Sequence, residues 1–363
     1  MTRISALGKR FIPAACRPAV RRVYQYSKAW IDRMWPSAEY EQRKRQELQF
    51  FTEAQRVQQL PEIAHYWSNK YLVPMLQPFG FTNALECFRS YLKQVCIDHA
   101  PQKCAFLSIG AGSGDAEINM ARWLYETGTK NFYFECMDIN PASVEKGRQS
   151  ARWNGVQESL SFSVFDVNQW KPRSEYHAVV ALQSLHHVQE LELLFERISS
   201  ALADDGYFLT DDMIGRNGHQ RWPEALKIVE ELWKELPAKY KYNQQLRRFE
   251  EEYDNWDCST SGFEGVRAQD ILPLLIQRFH FEVFIAFGNV IDIFIDRSFG
   301  HNFDPGNEWD REFIDRVHAI DVAHLEAGQI KPTHMLAVMR KTPAGSTRIH
   351  KSFSPEFCCR RGL

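Results

Sequence analysis

LSIGAGSGDAE, residues 107–117, is the end of a short apolar run turned sharply by three glycines. Gly110, Gly112 and Gly114 stand where a buried strand would pass into a helix. Glycine belongs there if the chain must turn tightly and let a ligand approach bare backbone. A dinucleotide fingerprint, GxGxxG, would put its last glycine at 115, where this chain has Asp115. The loop is instead GxGxG, followed at once by Asp115 and Glu117. Those charges would repel a pyrophosphate at the helix N-terminus and suit a cationic ligand.

Working outward, CAFLSIG (104–110) reads as the first strand, and Ile118, Ala121, Leu124 and Tyr125 share one face of the helix after it, with Gly128 as its stop. NFYFECM (131–137) is the second strand, and Asn140 and Pro141 supply the N-cap and first turn of a helix closed by Asn154-Gly155. LSFSVF (160–165), HAVVAL (177–182) and GYFLT (206–210) continue the series, with an apolar helical face from Val188 to Leu202 before the fifth strand. FEVFIAF (281–287) and THMLAVMR (333–340) complete it. This alternation predicts an α/β protein with a doubly wound, mostly parallel sheet.

The same reading divides the chain into a basic segment (1–38), a helical extension (39–103), the α/β domain (104–340) and a loose polar tail (341–363). Two insertions interrupt the domain, at about 213–270, read as helical with a break at Pro237, and at 288–332. The second is too long for a plain loop and is expected to hold structure of its own.

Two more acids fall where a nucleoside would meet the same sheet edge. Asp138 ends the second strand, where a carboxylate can accept hydrogen bonds from ribose hydroxyls, and Asp166 ends the third. Each alone serves equally well as a helix cap or turn residue. Taken with the glycine loop, they form a pattern along one edge.

LSIGAGSGDAE, MDINPASVEKGR, FSVFDV and AVVALQSLHHV, in this order and spacing, resemble motifs I to IV of the class I S-adenosylmethionine-dependent methyltransferases. The resemblance covers about Cys104 to Asp211 and implies a Rossmann-like seven-stranded sheet of order 3-2-1-4-5-7-6 with the seventh strand antiparallel. It puts Gly110, Gly112 and Gly114 beside the methionine part of S-adenosyl-L-methionine, Asp138 on the ribose, and Asp166 with Val167 near the adenine. Ala111, Asp115, Ile139 and Gln183 join them as expected cofactor-binding residues. The chain departs from the family at Ile109, since no acid precedes the GxGxG core, so help for the methionyl ammonium falls to Asp115 or Glu117.

The implied chemistry is displacement of a methyl group from a sulfonium, which needs the acceptor held near attack distance. An oxygen acceptor also needs a base, and histidine is tuned for that near neutral pH. His186 and His187 directly follow the fourth strand, at the carboxyl edge where ligands bind in open sheets. Either can be the base while the other caps the next helix; His187 is preferred, and Asp211 joins them as a catalytic candidate. Arg216, Asn217 and His219 after the fifth strand, and Arg297, His301, Asn302 and Asp304 later, are further polar groups for an acceptor or for turns. Tyr66, Trp67, Lys70 and Tyr71 read either as a lid over the cofactor or as an aromatic core. His318 and His324, six apart, are badly spaced to share an ion, and no metal site is expected.

Composition narrows the function. The chain has 363 residues, 44% of them hydrophobic, enough to bury a sizeable core, and no apolar run approaches the length of a membrane-spanning helix. With 44 basic and 46 acidic side chains it lacks the excess charge of a protein living on nucleic-acid phosphates. Its eight cysteines form no CxxC pair, which favours a reducing, cytoplasmic setting over a disulfide scaffold or zinc cluster. Residues 1–31 nevertheless carry seven basic and no acidic side chains. That start reads as a solvated terminus, a transit segment or a basic surface for peripheral membrane contact. The leading expectation is methylation of a small-molecule or lipid-like acceptor in a cleft enclosed by the extension and insertions. RNA or protein methylation, a non-catalytic cofactor-binding sensor and aminopropyl transfer are the competing readings.

Overall fold

CAFLSI is apolar at nearly every position, as befits a strand covered on both faces, and Cys104–Ile109 forms β1 in the middle of the sheet. In the computed structural model, which describes residues 38–53, 59–172, 175–343 and 345–360, β1 pairs in parallel with β2 (Phe132–Asp138) and β4 (Tyr176–Leu182). β3 (Leu160–Val164) lies outside β2, and β5 (Leu202–Met213) lies beside β4, both in parallel. Beyond β5, the strand β7 (His334–Arg340) runs antiparallel to both β5 and β6 (His280–Phe287). The order 3-2-1-4-5-7-6 is therefore the expected one, extended by an eighth strand, β8 (Arg348–Ile349), parallel to β6.

That eighth strand corrects the reading of 341–363 as a loose tail. Phe353 and Cys358 are buried in the core shared with the helices that span 191–326, Thr347 Oγ1 donates to the Phe281 carbonyl, and the Lys331 ammonium donates to the Phe357 carbonyl. A few apolar side chains in a polar stretch are enough to dock it. The basic segment 1–31 lies outside the described residues. Among the described residues no helix is long and apolar enough to cross a membrane.

Helices α1 (Ala38–Glu53), α2 (Glu62–Trp67), α3 (Val73–Leu76) and α4 (Ala84–Asp98) precede the sheet. α4 covers one sheet face together with α5 (Asp115–Glu126) and α6 (Pro141–Trp153), where Phe88, Leu92, Ile118 and Leu124 meet Phe106 and Phe134. The other face carries α7 (Leu191–Ala201), α8 (Pro223–Glu235), α9 (Ala268–Ile276), α10 (Val290–Ile295) and α11 (Glu308–Glu326). There Leu194, Ile198, Ile271 and Leu275 join Leu107, Val179 and Phe208 in one core. Local chemistry sets the element ends. Asn140 Oδ1 accepts from the Ala142 N–H at 2.9 Å, and Pro141 follows with no N–H to satisfy.

The insertion after β5 departs from its helical reading beyond Pro237. Tyr242–Asn243 pairs with Arg248–Phe249 in a short hairpin, whose turn is held by the Asn243 carboxamide accepting from the Gln245 and Leu246 N–H groups. The 288–332 connection does hold its own structure, α10 and α11.

Candidate active site

Gly110, Gly112 and Gly114 all adopt left-handed backbone, with φ of +68°, +56° and +69°. At Gly110 space also demands glycine: a Cβ there would sit 2.5 Å from Ser184 Cβ. A Cβ on Gly112 would meet nothing within 4 Å, so this part of the loop offers open backbone, as a ligand-facing turn requires. Asp138 Oδ2 accepts from the Gly112 N–H and Oδ1 from the Asn140 N–H, each at 2.8 Å, which fixes the carboxylate between the loop and α6. Burial nevertheless pushes the Asp138 pKa up, against those two hydrogen bonds and the nearby charge of His187. Asp115 is exposed and accepts from Ser113 Oγ, whereas Glu117 is buried beneath the loop with Oε1 accepting from Ser108 Oγ at 2.6 Å.

Glu117 yields a stability prediction. Burial raises its pKa from 4.5 to about 7, the Ser108 hydrogen bond only partly opposing this, and Oε2 has no hydrogen-bond partner. An acid with a raised folded-state pKa binds more protons folded than unfolded. Its stabilisation is therefore full below the unfolded pKa and is lost as pH rises from about 4.5 to about 7. At 1.4 kcal/mol per unit the loss is on the order of 3 kcal/mol. Glu117→Gln, neutral at every pH, should abolish this part of the slope in urea denaturation at pH 5 and pH 8. Parallel pH slopes in the two proteins would refute the assignment.

Asp166 caps the turn after β3 by accepting from the Asn168 N–H at 3.1 Å. Its second oxygen accepts from Tyr40 Oη at 2.5 Å and lies 3.5 Å from Lys44 Nζ. Tyr40 and Lys44 belong to α1, which crosses from the β3 edge to the 258–264 segment. There Arg43 donates to the Ser259 and Gly262 carbonyls, and Glu47 Oε2 accepts from the Phe263 N–H. α1 is thus the cover over this edge. The aromatic group read as a lid or an aromatic core lies elsewhere. Tyr66, Lys70 and Tyr71 gather on Asp315 of α11, and Trp67 Nε1 donates to His318 Nδ1 at 3.2 Å.

The turn after β4 brings histidines and carboxylates together. Asp212, wholly buried, accepts at Oδ2 from the Ser184 and Leu185 N–H groups and at Oδ1 from the Met213 N–H. His186 Nδ1 meets Asp212 Oδ1 at 2.6 Å, and His186 Nε2 lies 3.3 Å from Glu264 Oε1. His187 sits between two carboxylates, with Nδ1 2.7 Å from Glu47 Oε1 and Nε2 3.6 Å from Glu264 Oε2. His219 Nε2 reaches Glu264 Oε1 at 2.5 Å. Three imidazoles therefore converge on one carboxylate. Burial disfavours charge on His186, but Asp212 and Glu264 outweigh it and raise its pKa to about 10. Burial lowers that of His219 in spite of Glu264. Glu264 itself is held well below the usual carboxylate range by the three histidines, against the effect of burial.

The sequence pointed to His186, His187 and Asp211. The structure brings the first two together with Asp212, because alternation along β5 sends Asp211 to the opposite face. Burial pushes the Asp211 pKa up to about 6, while the charge of His334 and a hydrogen bond with Gln183 oppose it. Gln183 stands at the end of β4 with a φ of +50°, a strained value for a residue with a side chain. Val167 opens the turn capped by Asp166, and Ala111 and Ile139 follow the ends of β1 and β2. Asn217 is tied to Gln269 of α9, and Asn302 to the backbone carbonyls of Tyr240 and Tyr242, so both hold insertions in place. Glu47 and Glu264 had no distinguishing signal: one is a polar residue in a polar helix, the other stands in a glycine-flanked loop.

A 3-2-1-4-5-7-6 sheet with a glycine loop after its first strand and an acid at the end of the second defines a class I S-adenosylmethionine-dependent methyltransferase fold. Residues 101–254 match the family described as methyltransferase domain, and this part of the chain is an S-adenosylmethionine-dependent methyltransferase domain. The open backbone at Gly112 and the anchored Asp138 fit the cofactor, which Gly110, Gly112, Gly114 and Asp138 would hold. A curated relative, a highly reducing polyketide synthase of Gibberella fujikuroi, is 29% identical over 120 residues, or 32% of this chain. The chain spans about 5% of that relative's length. Among solved structures, an O-methyltransferase from a trans-AT polyketide synthase multienzyme of Brevibacillus brevis overlays 70% of this chain and 72% of its own, at 15% identity and a TM-score of 0.38. A geranyl diphosphate C-methyltransferase from Streptomyces coelicolor covers 70% and 80%, at 12% identity and 0.38.

Proposed function

We propose that the protein methylates an oxygen atom of a small-molecule or lipid-like acceptor, with His187 as the base. The observation that carries this reading is the convergence of His186, His187 and His219 on Glu264, at the strand ends beside the glycine loop. When bound, S-adenosylmethionine supplies a methyl group already activated on a sulfonium. What remains for the chain is to orient the acceptor, exclude water and take up the hydroxyl proton. His187 is the less buried of the adjacent pair, while Asp212 and Glu264 bracket both ring nitrogens of His186 and hold its charged form. α1 and the 258–264 segment close over the cluster, which favours a compact acceptor over a polymer. The 120-residue likeness to a polyketide synthase agrees with a small-molecule substrate class.

The test uses methyl-labelled cofactor and a cell extract separated into small-molecule, lipid, RNA and protein fractions. Label should appear in the small-molecule or lipid fraction. His187→Ala should lower that transfer by about 10²- to 10⁴-fold while leaving cofactor affinity nearly unchanged. Label confined to RNA or protein, or transfer indifferent to His187→Ala, would refute the reading.

A further inference from the structure

We infer that His186, His187 and Glu264 form a binding site for a divalent first-row transition-metal ion at the acceptor end of the cleft. This rests on reading the cluster as the acceptor site, and it changes what His187 does there.

The donor set is the starting point. One ligand atom each from His186, His187 and Glu264 lie within 4.8 Å of one another. With metal–ligand distances of about 2.1 Å, adjacent donors on a tetrahedral or octahedral ion stand roughly 3.0–3.4 Å apart. His186 Nε2 is 3.3 Å from Glu264 Oε1, and His187 Nε2 is 3.6 Å from Glu264 Oε2, so the chain needs to move little to close on an ion. Two imidazoles and one carboxylate leave positions open for an exogenous oxygen, as in catalytic sites rather than closed structural ones.

The groups behind the donors are the second observation. A metal-bound histidine usually turns its other ring nitrogen toward a carboxylate, which fixes the ring and strengthens the donor. Here His186 Nδ1 meets Asp212 at 2.6 Å, and His187 Nδ1 stands 2.7 Å from Glu47. His219 in turn holds Glu264 at 2.5 Å. Each of the three ligands is therefore oriented by a neighbour. His219, Cys258 and Glu264 also lie close enough to share an ion. They use the same carboxylate, and the paired carboxylates stand behind His186 and His187. The four segments that build the site, around residues 47, 186, 219 and 264, are far apart in sequence. No spacing along the chain brings them together, which is why neither the cysteine pattern nor His318 and His324 points to a metal.

An ion bound here would displace the proton that otherwise lies between His186 and Glu264 and would engage the His187 lone pair, so in the ion-bound protein it takes over the base role that His187 fills in the ion-free protein. The acceptor hydroxyl then binds the ion, loses its proton to water and presents an oxygen anion. That anion forms the new C–O bond as the C–S bond breaks, leaving a neutral thioether.

The test is direct binding to chelator-stripped, full-length protein by calorimetry with Zn²⁺ and by the visible spectrum of Co²⁺. We expect one ion per chain, affinity at least tenfold weaker in His187→Asn and in Glu264→Gln, and a loss of about 10- to 100-fold in Glu47→Gln through its effect on His187. Circular dichroism and the urea midpoint confirm that each variant is folded. Absence of stoichiometric binding, or binding unaltered in both ligand variants, overturns the site. Labelled methyl transfer, measured in parallel, separates the two proposals. Transfer by protein that binds no ion removes the metal and leaves the methyltransferase reading, whereas specific ion binding without transfer to any acceptor fraction does the reverse.

Discussion

Asp212→Ala is expected to lose about 3–5 kcal/mol of folding stability, the usual range when one partner of a buried, hydrogen-bonded ion pair is removed. Asp212 is fully buried and accepts from three backbone N–H groups as well as from His186. Alanine would leave all four donors without their acceptor inside the fold. Burial acts against its charge, yet the favourable pull of His186 and the backbone donors holds its pKa below the ordinary value. The adjacent Asp211 provides the contrast. Burial raises its pKa to about 6, so its charge is disfavoured where it stands, and Asp211→Asn should leave stability at pH 8 unchanged or slightly higher. Urea denaturation, read at the midpoint with an unchanged slope, decides the matter. A loss below about 1 kcal/mol for Asp212→Ala would mean that the turn is held by something else.

That contrast marks how far the sequence could be read. Strand order was legible because β1 to β5 alternate with helices whose apolar faces are strongly periodic, and because Asn140-Pro141 and Asn154-Gly155 punctuate α6 by local chemistry. The glycine loop was legible for the same reason, since positive φ selects glycine wherever the residue lies in the fold. Asp211 and Asp212 both end one strand, and composition does not separate them. Only the phase of the pleat does, and an apolar run covered on both faces carries no phase. Glu47 and Glu264 depend on long-range packing of α1 and the 258–264 segment against the β4 turn. The docked tail was missed because Phe353 and Cys358 are isolated apolar residues with no period to register.

The loop and the histidine turn are one mechanical unit, and Gly110→Ala should show it. Left-handed backbone at a φ of +68° costs an alanine about 1–2 kcal/mol, and a Cβ only 2.5 Å from Ser184 Cβ adds an overpacking penalty of about 1–3 kcal/mol. Ser184 cannot withdraw freely. Its Oγ donates to the Ile109 carbonyl at 2.8 Å, and its N–H donates to Asp212 at 2.8 Å, so displacing it disturbs the carboxylate that orients His186. We therefore expect a stability loss of about 2–5 kcal/mol, and cofactor affinity at least tenfold weaker in whatever fraction stays folded. Ser184→Gly in the same chain removes the side-chain atoms that the new Cβ would strike, because the next nearest atom, Ser184 Cα, lies 3.8 Å away. The double variant should recover the overpacking part and retain the backbone part, giving a coupling of about 1–3 kcal/mol in a double-mutant cycle. Strict additivity would show that Gly110 is required for its backbone conformation alone, and that the loop and the histidine turn are not coupled through Ser184.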